Sequence, residues 1–118
     1  MASVTPIDAV ELTRDLIRRP SVTPADAGAM DLVQRALEGI GFSCRRMKFG
    51  EIENLYARRG TTSPNLCFAG HTDVVPVGDA GAWSHDPFAA EVSGGALGDL
   101  FAQWLDAPAL PGLPAPRR

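Results

Sequence analysis

His71 and Asp73 stand two residues apart in the run Gly70-His71-Thr72-Asp73-Val74-Val75-Pro76. A neutral imidazole is a common zinc ligand, and its other ring nitrogen usually donates to a carboxylate that fixes the tautomer. On an extended chain, residues i and i+2 leave from the same face. This spacing therefore supplies a metal ligand or a hydrogen-bonding orienter. Taken alone, such a tripeptide more often has a structural or incidental role. Just before it comes the short apolar run Leu66-Cys67-Phe68-Ala69, which predicts a strand buried on both faces. In α/β sheets ligands bind at the carboxyl ends of strands, which is where His71 would then sit.

Other residues compete less well for a chemical role. His85, in Trp83-Ser84-His85-Asp86-Pro87, reads as an exposed loop histidine rather than a second ligand. Cys67 reads as a small buried hydrophobe on its apolar run, not as a thiolate ligand. Trp83 and Phe88 are expected to pack a loop, with a substrate-facing role as the alternative. Gly78, Gly81, Gly94 and Gly95 lack the GxxxxGK[ST] pattern of a phosphate loop.

The elements that must position His71 and Asp73 begin with two helices, each announced by the same signal. Thr5-Pro6-Ile7-Asp8 and Thr23-Pro24-Ala25-Asp26 each place Thr at a predicted N-cap, Pro at the first helical position and Asp in the first turn. Helix one should turn Val10, Leu12, Leu16 and Ile17 inward and close at Arg18, Arg19 and Pro20. Helix two should do the same with Met30, Val33, Leu37 and Ile40 before Gly41. The period then changes. Ser43–Phe49 and Asn54–Arg58 read as strands joined by a turn at Gly50 and Glu51. Helices followed by strands, one of them central, predict an α/β domain. Further on, Leu97, Leu100, Phe101, Trp104 and Leu105 have the spacing of a short helix. Four of the ten prolines fall in the last eleven residues, which predicts a disordered tail.

The totals are those of a soluble globular chain: 118 residues, 45% apolar and 21% charged. Fourteen acids against eleven bases give a net charge of −3, which argues against a nucleic-acid partner. No Lys or Arg lies between Gly60 and Pro116, whereas Asp73, Asp79, Asp86, Glu91, Asp99 and Asp106 do. Such a stretch suits a divalent cation or a basic substrate group, or simply a solvated acidic face. No apolar run reaches the ~20 residues of a membrane span. Met1–Pro6 does not have the layout of a signal peptide. Cys44 and Cys67 form no CxxC pair, so a reduced, cytoplasmic chain is expected.

Several motifs in order give the sequence its character. Leu16-Ile17-Arg18-Arg19-Pro20-Ser21-Val22-Thr23-Pro24 leads into Gly41-Phe42 and Asn54-Leu55-Tyr56-Ala57-Arg58. Asn65 to Asp79, with His71 and Asp73, follows, and then Trp83 and Asp86-Pro87-Phe88. This series resembles the opening of the M20 family of zinc aminoacylases and peptidases, from about Ala9 to about Gly95. The resemblance implies an incomplete M20-type zinc-hydrolase catalytic domain over residues 1–95, with helices packed on a mixed sheet. It also implies a divergent segment over residues 96–118.

By the same resemblance, His71 would be a ligand of one zinc. Asp73 would act in catalysis by holding the His71 ring without touching metal. The family's complete site has two zinc ions, with cobalt as a possible replacement, and a glutamate base elsewhere. Its substrates are small N-acyl amino acids, and its full-length members are homodimers. The run from Arg18 to Pro24 favours hydrolysis of N-succinyl-diaminopimelate to succinate and diaminopimelate. Acetylornithine deacetylase, another M20 deacylase or carboxypeptidase, and a truncated non-enzymatic module are the alternatives.

The sequence departs from the family after Val92. Where the family has Gly-Arg-Gly-x-x-Asp-Met-Lys, this chain reads Gly98-Asp99-Leu100-Phe101-Ala102-Gln103-Trp104-Leu105. The place of the family's metal-bridging Asp falls on Trp104, and indole cannot bridge metals. Asp99 and Asp106 lie near but lack the glycine-rich setting. A reading-frame change in a GC-rich gene would produce such a tail. The chain by itself is expected to bind zinc weakly and to hydrolyse nothing.

Overall fold

The computed structural model describes residues 6–97. The expected helix through Leu100, Phe101, Trp104 and Leu105, the proline-rich tail, Asp99, Asp106 and the Thr5 cap lie outside them. The chain divides between Pro76 and Val77 into two compact units.

The first unit is a small α/β assembly: α1 (Ala9–Ile17), α2 (Ala29–Gly39), β1 (Ser43–Phe49) and β2 (Ile52–Arg58). Both helices form where apolar periodicity placed them, and α2 does not start at Thr23. Asp8 caps α1, accepting from the backbone N–H groups of Val10 and Glu11. A carboxylate there satisfies two orphan donors and complements the positive helix end. α2 starts at Gly28 in the left-handed region, with no side-chain cap. The carboxylate of Asp26 instead reaches the N–H groups of Gly28 and Met30. Gly28 is required there twice over: its φ is +80, and an added Cβ would meet the Arg19 guanidinium at 3.0 Å. Leu12, Leu16 and Ile17 are half-buried as expected, whereas Val10 is 54% exposed. It sits in the first turn of α1.

β1 and β2 pair antiparallel, from Phe49↔Ile52 to Ser43↔Arg58. Their two-residue loop opens on Gly50 at φ +61, the glycine position of a type II′ hairpin turn. α2 packs on one face of the hairpin, the face of Cys44 and Arg46. Arg46 anchors that contact by donating to Gln34 of α2, to Asp31 of α2 and to Glu53 across the hairpin. The acidic partners are solvent-exposed, so each ion pair is worth under about 1 kcal/mol. The planar guanidinium nevertheless serves three acceptors at once, which sets the register of helix against hairpin. The opposite face carries Phe49, Ile52 and Tyr56, all exposed.

Two expectations fail here. The sheet of this unit is a two-stranded antiparallel hairpin, not a mixed one. The segment Leu66–Ala69 is not a strand, and it is not buried. Leu66 is 84% and Phe68 89% exposed, and Cys67 is exposed rather than a core residue. An apolar run becomes a central strand only when other strands pair with both its edges, and none of the described residues does so. Among the described residues only Ala29, Ala90 and Ser21 are buried, and no large side chain is fully enclosed.

The described part of the second unit, residues 77–97, is mostly loop. Asp79 caps a short 3₁₀ turn at Ala80–Ala82. The Trp83 indole N–H donates to the Val77 carbonyl at 2.9 Å. Trp83 and Phe88 are half-buried, in keeping with a loop-packing role. A short hairpin follows, β3 (Val92–Ser93) with β4 (Ala96–Leu97). Gly94 and Gly95 both have positive φ, as a type I′ turn demands. Leu97, expected to open a helix, is therefore in a strand.

Candidate metal-ligand site

The sequence pair His71 and Asp73 does meet in space. His71 Nδ1 lies 3.0 Å from Asp73 Oδ1 and 2.9 Å from the Asp73 carbonyl oxygen. Both partners are acceptors only, so Nδ1 must carry the proton. The neutral ring then keeps its lone pair on Nε2. An Nε2 lone pair on a ring held by a carboxylate is the arrangement that zinc-binding histidines use. The His71 side chain is 81% exposed, so the ring is open to a metal or a substrate.

The pairing survives the loss of the expected strand because it is local. An extended backbone over three residues suffices to set His71 and Asp73 side by side, whether or not the segment joins a sheet. The segment is held by contacts that the spacing of residues did not reveal. Val22 and Val74 form an isolated parallel bridge. Val74 N–H donates to the Ser21 carbonyl at 2.9 Å, and Thr23 N–H donates to the Val74 carbonyl at 3.1 Å. The Ser21 hydroxyl donates to the Thr72 carbonyl at 2.7 Å. The Thr23 hydroxyl, expected to cap α2, instead donates to Asp73 Oδ2 at 2.6 Å. A charge-assisted bond of that length is stronger than a neutral cap bond, and Asp26 serves the helix in its place.

The Thr23 hydroxyl first, and the His71 ring second, hold the Asp73 carboxyl below the ordinary carboxylate value. Because the folded value is depressed, the linked stability is present above the unfolded carboxyl's pKa and is lost as pH falls through the folded one. A carboxyl carbon NMR titration of Asp73 should give a lower midpoint in the native chain than in the urea-unfolded chain. Equal midpoints would mean that neither bond persists in solution.

His71, Thr72 and Asp73 are among the residues lining an open groove of about 1260 Å³, as are Phe42, Leu55 and Phe68. Among the described residues, no group of three or more His, Cys, Asp or Glu side chains could hold a metal ion. The described residues thus offer a metal one oriented imidazole and no complete ligand set. His85, in the second unit, pairs through Nδ1 with Glu91 Oε2 at 2.8 Å, as a loop histidine would.

No family model matches the chain. Curated relatives do. Succinyl-diaminopimelate desuccinylase of Phenylobacterium zucineum (strain HLK1) is 77% identical over 91 residues, which is 77% of this chain and 24% of that protein. The protein of the same name from Caulobacter vibrioides (strain NA1000 / CB15N) is 76% identical with the same shares covered. That of Rhodospirillum centenum (strain ATCC 51521 / SW) is 61% identical over 95 residues, 76% of this chain and 25% of that protein. The chain spans about a quarter of the length of these relatives. At such identity the shared segment is homologous to the succinyl-diaminopimelate desuccinylases, and the match is consistent with an amino-terminal segment of such a protein.

Proposed function

We propose that this chain carries the first metal-ligand segment of a zinc-dependent amide hydrolase acting on N-succinyl-diaminopimelate. His71 is the zinc ligand through Nε2, and Asp73 is the group that keeps Nδ1 protonated and the ring still. The single observation that carries this reading is His71 Nδ1 set between two acceptors. The relatives' names support the substrate, and their desuccinylase activity fits a step of lysine and diaminopimelate biosynthesis. Zinc, or cobalt in its place, supplies a polarised carbonyl and an acidified water when bound. The complete site would hold two such ions, with a general base and further ligands from residues that this chain does not pair with His71. The whole protein would be a cytoplasmic homodimer acting on a small molecule, with no nucleic acid or membrane partner. Among the described residues, no helix is long and apolar enough to cross a membrane. The chain alone binds zinc weakly and is inactive.

Zinc titration followed through the histidine ring nitrogens tests the ligand assignment. Added Zn²⁺ should move the Nε2 signal of His71 while Nδ1 stays protonated, and His71→Ala should abolish the response. A zinc response that follows His85, or that persists unchanged in His71→Ala, would remove His71 from the site.

A further inference from the structure

The carboxylate that steadies His71 needs steadying itself. Asp73 is half-exposed, and carboxylate rotation about χ2 is broad and roughly two-fold. One bond to the ring leaves that rotation loosely set. The two oxygens of Asp73 are, however, divided between two partners. Oδ1 faces His71 Nδ1 at 3.0 Å, and Oδ2 accepts the Thr23 hydroxyl at 2.6 Å. The Thr23 oxygen also lies 3.4 Å from the Val74 carbonyl. A hydroxyl has one proton to give, and the shorter contact to a charged acceptor takes it.

Thr23 is itself held from behind. Its N–H is bonded to the Val74 carbonyl, and Val74 N–H to the Ser21 carbonyl. Ser21 is 2% exposed, and its hydroxyl ties the same strap to Thr72. The hydroxyl of Thr23 is thus delivered to Asp73 by a backbone bridge rooted in a buried residue, fifty positions away in sequence.

We propose that Thr23 is a positioning residue for the metal ligand. Its hydroxyl pins the Asp73 carboxylate so that the opposite oxygen holds His71 in its Nδ1–H tautomer, with Nε2 free to ligate. The proposal rests on the reading of His71 as a zinc ligand. It adds a third member to the pair and gives the Ser21–Thr23 segment a task in the site.

Two substitutions in the full chain test it. Thr23→Val keeps the shape and the backbone N–H but removes the hydroxyl. Thr23→Ser keeps the hydroxyl. The first readout is the His71 tautomer, taken from ring nitrogen shifts without metal. The second is the apparent Kd for Zn²⁺, followed at His71 Nε2. Removing a group that orients a metal-binding histidine costs roughly 10–100-fold in affinity. Thr23→Val, acting through Asp73, should weaken zinc by about tenfold, at the lower end of that range, and shift the ring toward the Nε2–H tautomer. Thr23→Ser should restore both.

Unchanged tautomer and zinc affinity in Thr23→Val would overturn the proposal, as would failure of Thr23→Ser to rescue. Loss of hydrogen-exchange protection at the Val74 amide in Thr23→Val would also overturn it, by assigning Thr23 to the backbone bridge alone. The tautomer is read without metal. A zinc response that survives His71→Ala therefore defeats the metal reading, while the Thr23 bond is still judged on the ring.

Discussion

Zinc and N-succinyl-diaminopimelate added to the purified 118-residue chain should release succinate no faster than zinc in buffer. The expected effect is large because enzymes accelerate such reactions by at least about 10⁶-fold, and all of that should be missing. A catalytic zinc keeps about three protein ligands and one open position. The described residues bring a single oriented imidazole to the groove and no group of three candidate ligands. One imidazole leaves zinc mostly hydrated and free to exchange, so its bound water is neither acidified enough nor held against the amide carbonyl. The assay should include a full-length desuccinylase as the positive control and His71→Ala as the negative. Succinate release above the zinc blank that disappears in His71→Ala would show that the chain is itself an enzyme. A companion experiment reads the gene across codons 90 to 118 in all three frames. Continuation of another frame into Gly-Arg-Gly-x-x-Asp-Met-Lys would mark the tail as a frame-shifted remnant, and no such continuation would favour a vestigial or binding role for the chain.

Replacing Leu66 and Phe68 together by serine should leave the stability of this chain unchanged and sharply reduce its self-association. Both side chains are more than four-fifths exposed, at 84% and 89%. They therefore gain little from folding, and exposed substitutions usually change stability by no more than about 0.5 kcal/mol. The same two residues present an exposed apolar segment that pairs with no strand among the described residues, a template for pairing with another chain. Polar replacements remove the apolar contacts that would hold two such segments together. In a longer chain that supplied strands on both sides, the result should reverse. Burial there would make truncation of each side chain cost roughly 2–5 kcal/mol. Urea unfolding and light scattering on the double variant, in both contexts, separate the cases. A marked loss of stability in the 118-residue chain would mean that Leu66 and Phe68 are buried in solution, against the exposed segment described above.

Much of the local architecture was legible from residue types and spacing. The apolar period of 3.6 located α1 and α2. The switch to period two, with Gly50 at the turn, located the β1–β2 hairpin and gave β1 its observed limits. The His71–Asp73 pair was legible for the same reason: it depends on three consecutive residues, and an extended backbone brings i and i+2 together without help from the rest of the fold. The start of α2 misled, because Thr23 had a carboxylate three residues on, Asp26, that took over the work at the helix end.

What depended on distant partners could not be read along the chain. The composition of Leu66–Ala69 is that of a buried strand, but burial is a property of the neighbours a segment finds, and among the described residues no strand pairs with either edge. The three-way anchoring by Arg46 joins α2 to both strands of the hairpin, and no local pattern announces it. The clearest case is Thr23. Its sequence setting, Thr-Pro-x-Asp, reads as a helix cap. The parallel bridge between Val22 and Val74 carries it instead to Asp73, where a 2.6 Å bond to a carboxylate outweighs a bond to a backbone amide. Sequence alone determined that His71 and Asp73 lie side by side. The tertiary structure decided which hydroxyl secures them, because only folding brings residues fifty positions apart within hydrogen-bonding distance.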